Sequence, residues 1–394
     1  MKIVDVSGFY SETGGGVASY VRQKLAAAAA HGHEVTVIAP GAQSRIERRT
    51  GGKIIWVASP PMPFDANYRM FFGAREAWAA IAAEVPDVIE GSSPWRGGWI
   101  AANAPSDALR SLVFHQDFIA GYPYTVLDGL LQRPQIDRLF DGYWTYVRRL
   151  SAHFDVTVTG GEWLAKRLTG FGVHRAIAVP FGIETELFSP ARRDEVLRRE
   201  LLAACGAPPD AKLLLAVGRL HPEKRHGTII DGFALAKRRR PDLALAILGD
   251  GPGRAAVARR AARTPGIHLA GPVTDRSRLA AIYASADLLV HGSGAETYGL
   301  VVAEAISSGL PVVAPDTGGA ADLARRGHSA TYVTGDAASC AQAIIDLLDE
   351  TGRGLAVPSG FTPPSSAAAH FQQLFSLYER LILEQRQATA ARAA

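Results

Sequence analysis

Cysteine is scarce in this chain: two residues in 394, Cys205 and Cys340. They lie far apart without metal-ligand spacing, which excludes a disulfide framework and leaves two reduced, partly buried thiols as the expectation. Long apolar runs are also missing. None approaches the roughly 20 residues of a membrane-spanning helix, so an integral membrane protein is excluded. The opening MKIVDVSGFY sets one lysine before an apolar stretch that breaks at Gly8, too short for a secretory leader, and the expected location is the cytoplasm. The glycine-rich SETGGGVASYV lacks both the GxGxxG spacing and a Walker lysine, so neither a Rossmann NAD site nor a P-loop is supported. Charge of one sign is not in excess either. Forty-two Lys and Arg against 38 Asp and Glu give +4, which suits a phosphate-bearing ligand but is too weak a bias for nucleic acid. The basic runs RIERR at 45–49 and KRRR at 237–240 read as solvated faces, the second ending a helix before Pro241.

What the chain has is length and alternation. At 394 residues it exceeds what one core usually supports, and two domains are expected. Short apolar runs alternate with alanine-rich segments of helical period, the pattern of parallel strands joined by crossover helices. The fold class is α/β. KIVDVS, EVTVIAP, KIIWVA, DVIEG, SLVFH, VTVTG and AIAVP read as strands of a first doubly wound domain, with helices such as 17–31 and 72–84 between them. KLLLAVG, LALAILG, IHLAG, LLVHG and LPVVAP form a second series. The connector VPFGIETELFSP, 179–190, is punctuated by Pro and Gly, which places the domains at 1–186 and 187–366. A helix over 367–394 follows a proline and serine cluster and is expected to pack back on the first domain. Two such sheets bind ligands outside the carboxyl ends of their strands.

The stretch AETYGLVVAEA, 295–305, puts Glu296 and Glu304 in surroundings otherwise built for burial. A carboxylate there costs several kcal/mol unless it is partnered. Tyr298, Gly299 and Leu300 read as the first turn of a helix running to Ser308 and stopped by Gly309, with N–H groups and a positive dipole end available to phosphate. Glu296 precedes that end, and Glu304 lies roughly 7 Å inside it, so the pair would straddle a phosphate site and accept hydroxyl groups on either side. A nucleotide sugar has that shape. The structural alternative makes Glu296 a solvated loop residue and Glu304 the partner of a lysine or arginine. In VGRLHPEKRHG, 217–227, a strand ends at Gly218, and Arg219 and Lys224 follow. Two cations there suit a diphosphate leaving group. GDGPGRAAV at 249–257 is a glycine-rich turn of a kind generic to α/β sheets. In the first half, Gly14, Gly15 and Gly16 allow close backbone approach at a helix start. The strand SLVFH delivers His115, as an active-site or a structural residue.

Together these pieces resemble the retaining GT-B glycosyltransferases of family 4. ETYGLVVAE, GLPVVAPDTGGAADL, GRLHPEK, GDGPGR, FGIETELFSP and GGGVASYV run in the family's order over nearly the whole chain. The resemblance implies two Rossmann-like domains facing each other across a cleft, and transfer of a hexose from a UDP- or GDP-sugar to a lipid or glycan acceptor with retention. It implies that Glu296 contacts the donor sugar and Glu304 the ribose. Arg219 and Lys224 would hold the diphosphate, helped by Gly218 and by N–H groups at Tyr298, Gly299 and Leu300. Gly15 and Gly16 would face the phosphates, and His115 would approach the transferred sugar. No bound metal or other cofactor is expected, in keeping with the lack of a DxD-type motif. Arg225 departs from the family's frequent glycine, and Tyr298 replaces a common phenylalanine.

The sequence names neither base, sugar nor acceptor. The stretches 60–73 and 122–150, rich in aromatics and arginine, are candidates for docking on anionic lipid at the inner face of the cytoplasmic membrane. Rival readings are a nucleotide-sugar epimerase or hydrolase, a phosphorylase, which would need a lysine holding pyridoxal phosphate and a longer chain, and a non-catalytic nucleotide-sugar-binding subunit.

Overall fold

The structure, a computed structural model, describes residues 1–11, 16–63, 65–326, 328–352 and 363–393. It divides into two compact units, one of 1–116, 134–180 and 367–394 and one of 117–133 and 181–366. The sequence reading assigned 117–133 and 181–186 to the first domain. They belong to the second unit because their contacts lie there: Arg133 Nη1 donates to Thr317 Oγ1 at 3.2 Å, and Ile183 N donates to Ser365 O at 3.0 Å.

Unit 1 is built on an eight-stranded sheet. Its strands are β1 (Lys2–Val6), β2 (Glu34–Gly41), β3 (Arg45–Arg49), β4 (Gly52–Ala58), β7 (Val88–Gly91), β8 (Leu109–Phe114), β9 (Val156–Thr159) and β10 (Ala176–Ala178), while β5 (Pro61–Met62) and β6 (Asp65–Arg69) form a separate hairpin. The order is β10-β9-β8-β7-β1-β2-β4-β3, parallel except that β3 runs antiparallel to β4. RIERR is thus a solvated face, as expected, formed by an edge strand. Its alternating charges still meet solvent, and Arg45 stacks over Trp56, an arrangement that blunts the edge against further pairing. The helix Ala367–Ala393 returns to this unit, as expected, and buries Phe371, Leu374, Phe375 and Tyr378 in its core.

Unit 2 carries a six-stranded parallel sheet: β11 (Lys212–Val217), β12 (Leu243–Leu248), β13 (Ile267–Gly271), β14 (Leu288–Val290), β15 (Val312–Pro315) and β16 (Ser329–Tyr332), in the order β13-β12-β11-β14-β15-β16. β11 and β12 are continuous apolar runs because helices cover both faces. β16, SATY, is short and polar at its start, and the sequence pattern did not mark it. Both cysteines are free and buried, and burial pushes their thiols up to about 11 at Cys205 and about 12 at Cys340. No described helix is long and apolar enough to cross a membrane.

One buried charge cluster organises unit 1. Lys24, fully buried on the helix Gly16–Ala30, pairs with Asp5 of β1 at 2.9 Å and with Glu90 of β7. Ser92 Oγ donates to the other Asp5 oxygen at 2.6 Å. Two carboxylates share one ammonium, so burial and the repulsion of Asp5 raise the pKa of Glu90 despite Lys24. Replacing Lys24 by Met leaves two carboxylates buried without a cation and is expected to cost about 3–5 kcal/mol in urea unfolding. Glu90→Gln removes only the surplus charge and should cost less than about half of that. Equal losses from the two substitutions would contradict this account.

Candidate active site

In unit 2 the chain leaves β11 toward β12 and β13 on one side, and leaves β14 toward β15 and β16 on the other. β11 and β14 are neighbours, so the loops that follow them diverge at a topological switch point, where α/β sheets open a crevice. The loop after β11 holds Gly218, Arg219 and Lys224. That after β14 holds Glu296, Tyr298 and Gly299.

The two loops meet in an ion pair. Lys224 Nζ lies 2.6 Å from Glu296 Oε1 and 3.7 Å from Glu223 Oε1, and His291 Nε2 lies 3.4 Å from the same Glu296 oxygen. Burial alone would discharge the lysine, but Glu296 and Glu223 outweigh it and hold the ammonium pKa above its ordinary value. Burial would likewise raise the Glu296 carboxyl, yet Lys224 and His291 hold it well below the usual carboxylate range. Both groups stay charged at any physiological pH. Arg219, 60% exposed and 3.9 Å from Glu223, presents a second cation beside them.

The glycine-rich turns serve as buttresses. A Cβ on Gly249 would stand 1.9 Å from Gly218 O, and Gly253 N donates to Leu220 O at 2.7 Å, so the GDGPG turn backs directly onto the Arg219 loop. Gly319 N donates to Glu296 O at 2.6 Å, which seats the TGG turn under the other loop.

The helix starts at Leu300 rather than Tyr298. Gly299 caps it with φ +93°, a left-handed conformation that glycine takes without strain. The ring of Tyr298 is buried and packs 6.1 Å from Phe181, and burial pushes its phenol up to about 12. Any ligand contact at this position therefore belongs to the backbone. Leu300 is exposed at the first helical turn.

Glu304 has the arginine that the structural alternative anticipated. Arg276 Nη2 lies 3.3 Å from Oε1, and Tyr283 donates its hydroxyl to Oε2 at 3.4 Å. Arg276 also pairs with Glu184 at 2.5 Å and stacks over Phe188. Burial dominates nonetheless and pushes Glu304 up to about 7 against the pull of Arg276 and Tyr283. A carboxyl that is costly to ionise in place is a poor structural choice, which weighs toward a functional one.

The remaining candidates lie in unit 1. Gly16 is the first residue of the helix Gly16–Ala30, while Gly14 and Gly15 fall outside the described residues. His115 follows β8 with its ring edge-on to Tyr20 of that helix at 4.9 Å, and burial brings its pKa down to about 4, so the imidazole is neutral. Among the described residues no group of three or more His, Cys, Asp or Glu is arranged to hold a metal ion.

Sequence reasoning missed His291, whose signal was the same strand-end position that singled out His115. It missed Arg276 and Tyr283, which no local pattern ties to Glu304. It also missed the stretch SSPW after β7 and the start of the helix Arg96–Ala102 that follows it. β1 and β7 form the switch point of the unit 1 sheet, as β11 and β14 do in unit 2. There Trp95 and Tyr146 are exposed, Tyr146 donates to Pro94 O at 2.8 Å, and Trp95 lies 5.7 Å from Tyr143. Arg96 stacks over Trp99 and donates to Phe72 O at 3.4 Å.

Two family models match the chain: "Glycosyl transferases group 1" over residues 211–350 and "Glycosyltransferase Family 4" over 14–187. A GDP-mannose-dependent alpha-mannosyltransferase of Mycobacterium tuberculosis is 31% identical over 298 residues, covering 74% of this chain and 73% of its own. A GDP-mannose-dependent alpha-(1-6)-phosphatidylinositol dimannoside mannosyltransferase of the same species is 29% identical over 351 residues, covering 86% and 84%. The structure of a sucrose-phosphate synthase from Thermosynechococcus elongatus superposes with a TM-score of 0.70 at 20% identity, covering 99% of this chain and 100% of that one. This last likeness establishes the GT-B fold.

The raised pKa of Glu304 has a signed consequence. Its folded value near 7 exceeds the ordinary 4.5, so the folded state binds the proton more tightly. The associated stability is fully present below about pH 4.5 and is lost as pH rises through 7, on the order of 3 kcal/mol in all. Glu304→Gln is therefore expected to be more stable than wild type at pH 8 and equal to it near pH 4.5. Urea titrations across that range check it, and parallel stability profiles for the two proteins would refute it.

Proposed function

The chain belongs to glycosyltransferase family 4, whose members are retaining, nucleotide-sugar-dependent enzymes, and we propose that this one transfers mannose from GDP-mannose to a glycolipid acceptor. The Lys224–Glu296 pair at the unit 2 switch point carries the donor half of this reading. The choice of GDP-mannose rests on the two mannosyltransferases that cover most of the chain.

In this reading Lys224 and Arg219 neutralise the diphosphate. An ammonium has three N–H donors; one is held by Glu296, which aims the others without reorganisation when the leaving group develops charge. Glu296, kept ionised, accepts hydrogen bonds from hydroxyls of the transferred sugar. Glu304 accepts them from the ribose, and the first N–H groups of the helix Leu300–Ser307 face the phosphates. In unit 1, His115, its imidazole kept neutral by burial, and Gly16 at the start of its helix are candidates for binding. In this reading no carboxylate attacks the far face of the sugar. Retention then proceeds by front-face departure of the diphosphate, whose oxygen takes the acceptor's proton as the new glycosidic bond forms. No metal is assigned a part in this scheme.

For the acceptor, the exposed Trp95 and Tyr146 beside Arg96 offer aromatic faces for a sugar ring and a cation for a phosphate. Phe72, 85% exposed, and Met70 lie on the stretch that Arg96 holds by its carbonyl. They favour peripheral attachment to an anionic membrane, at its cytoplasmic face.

A thermal-shift panel of GDP, UDP and ADP with their hexose conjugates tests the donor. GDP and GDP-mannose should stabilise wild type, by about 2.7 kcal/mol at a hundredfold excess over Kd, and Glu304→Ala should lose most of that gain. Lys224→Ala should lower kcat about 10²–10³-fold. No stabilisation by any nucleotide, or a Lys224→Ala enzyme with normal kcat, would sink the proposal. For the acceptor, Trp95→Ala should raise KM about tenfold both in detergent and in anionic vesicles, at unchanged donor KM. Phe72→Ser should raise it in vesicles alone. Wild-type acceptor KM in both variants would remove this surface from the site.

A further inference from the structure

Arg225 stands next to Lys224 with φ +47°, a left-handed backbone that glycine favours. A side chain held in such a conformation is a reason to ask what it does. Its guanidinium is largely buried and pairs with Asp128, and it approaches so closely to Gly335 that a Cβ there would lie 3.1 Å from Nη1. Asp128 belongs to 117–133, the segment from the first half of the chain that is built into unit 2. Arg133 of the same segment lies 4.0 Å from Asp128, stacks over Tyr124, and donates to Thr317 Oγ1 at 3.2 Å. Thr317 in turn donates to Gly294 O at 3.3 Å, two residues before Glu296. Tyr122 places its ring 6.0 Å from His221, whose carbonyl accepts Lys224 N at 2.9 Å. The segment is therefore fastened both to the loop that carries Lys224 and to the loop that carries Glu296.

We propose that Arg225 is a positioning residue: with Asp128 it straps 117–133 across the two donor loops and fixes the backbone from which Lys224 reaches a nucleoside diphosphate. This rests on reading unit 2 as the nucleotide-sugar site. A strapped loop presents its cation already ordered, so less freedom is lost when the ligand binds. The chemistry also explains why Asp128 is the partner. A lone guanidinium beside Lys224 would compete for the phosphates, and the carboxylate turns it toward the strap.

Arg225→Gly is the informative variant, because glycine takes φ +47° without strain and Asp128 keeps Arg133 as a counter-ion. Its Tm should equal or exceed that of wild type. GDP is the probe. Calorimetry should show affinity for GDP at least fivefold weaker in Arg225→Gly, and limited proteolysis should cut within 117–133 faster. The exchange Arg225→Asp with Asp128→Arg should bring both readouts back toward wild type. Unchanged GDP affinity in Arg225→Gly overturns the role, whether or not the segment is cut faster. A drop in Tm matching the loss of affinity overturns it too, since the residue would then be merely structural. Wild type that fails to bind GDP overturns the donor reading and this role with it, whereas normal wild-type binding confines a failure to Arg225.

Discussion

A lysine ammonium cannot remain charged out of water unless something compensates it, and that constraint shapes unit 2 of this protein. Glu296 and Glu223 keep Lys224 ionised, and Lys224 with His291 keeps Glu296 ionised. Either partner alone would be an uncompensated buried charge, a cost of several kcal/mol. The two loops that supply them diverge from adjacent strands, so the ion pair also sets the spacing of the switch point. The glycine turns at 249–253 and 318–319 pack beneath these loops, and close contacts there leave no room for a Cβ. Site and scaffold are consequently hard to separate: the ion pair that would prepare a cation for the proposed diphosphate is also the one that joins the two loops.

The same device appears in unit 1 with a different outcome. Lys24 sits at the β1–β7 switch point between Asp5 and Glu90, as Lys224 sits at β11–β14 between Glu296 and Glu223. Lys24, however, is wholly buried, and its carboxylates lie within the strands rather than in the loops beyond them. A charge cluster in that position ties a helix to two strands and has no ligand to meet. Moving the carboxylates a few residues past the strand end, as in unit 2, turns a structural cluster into one that can face a substrate. Position along the strand decides between the two.

That distinction explains what was legible in the sequence. The α/β class, both strand series and the returning C-terminal helix follow from apolar runs and helical period. Arg219, Lys224, Glu296 and Glu304 were legible because each departs from its surroundings, a charge where burial is expected or at the end of an apolar run. RIERR was read correctly as a solvated face, but its charged composition hid that it is a strand, and β16 went unmarked since four residues carry too little pattern. Segment 117–133 was placed with the first domain because contacts such as Asp128 with Arg225 and Arg133 with Thr317 join residues far apart in sequence and leave no periodic trace. Arg276 escaped for the same reason.

The contrast between donor and acceptor surfaces has one physical origin. A diphosphate, the proposed ligand of unit 2, would demand cations and N–H groups in fixed relation, and a single switch point could supply them from two loops, so the candidate residues are concentrated in short stretches of sequence. The aromatic surface of unit 1 is assembled from Phe72, Trp95, Arg96, Tyr143 and Tyr146, on three segments whose contacts include a tyrosine hydroxyl, a guanidinium and a pair of rings. None of those residues is unusual where it stands in the sequence. Changes to Lys224 or Glu296, by contrast, disturb the ion pair between the two loops of unit 2. Arg225 marks the boundary between these regimes: a residue in the donor loop whose side chain serves the segment leading out of unit 1, at a position where backbone conformation alone would favour glycine.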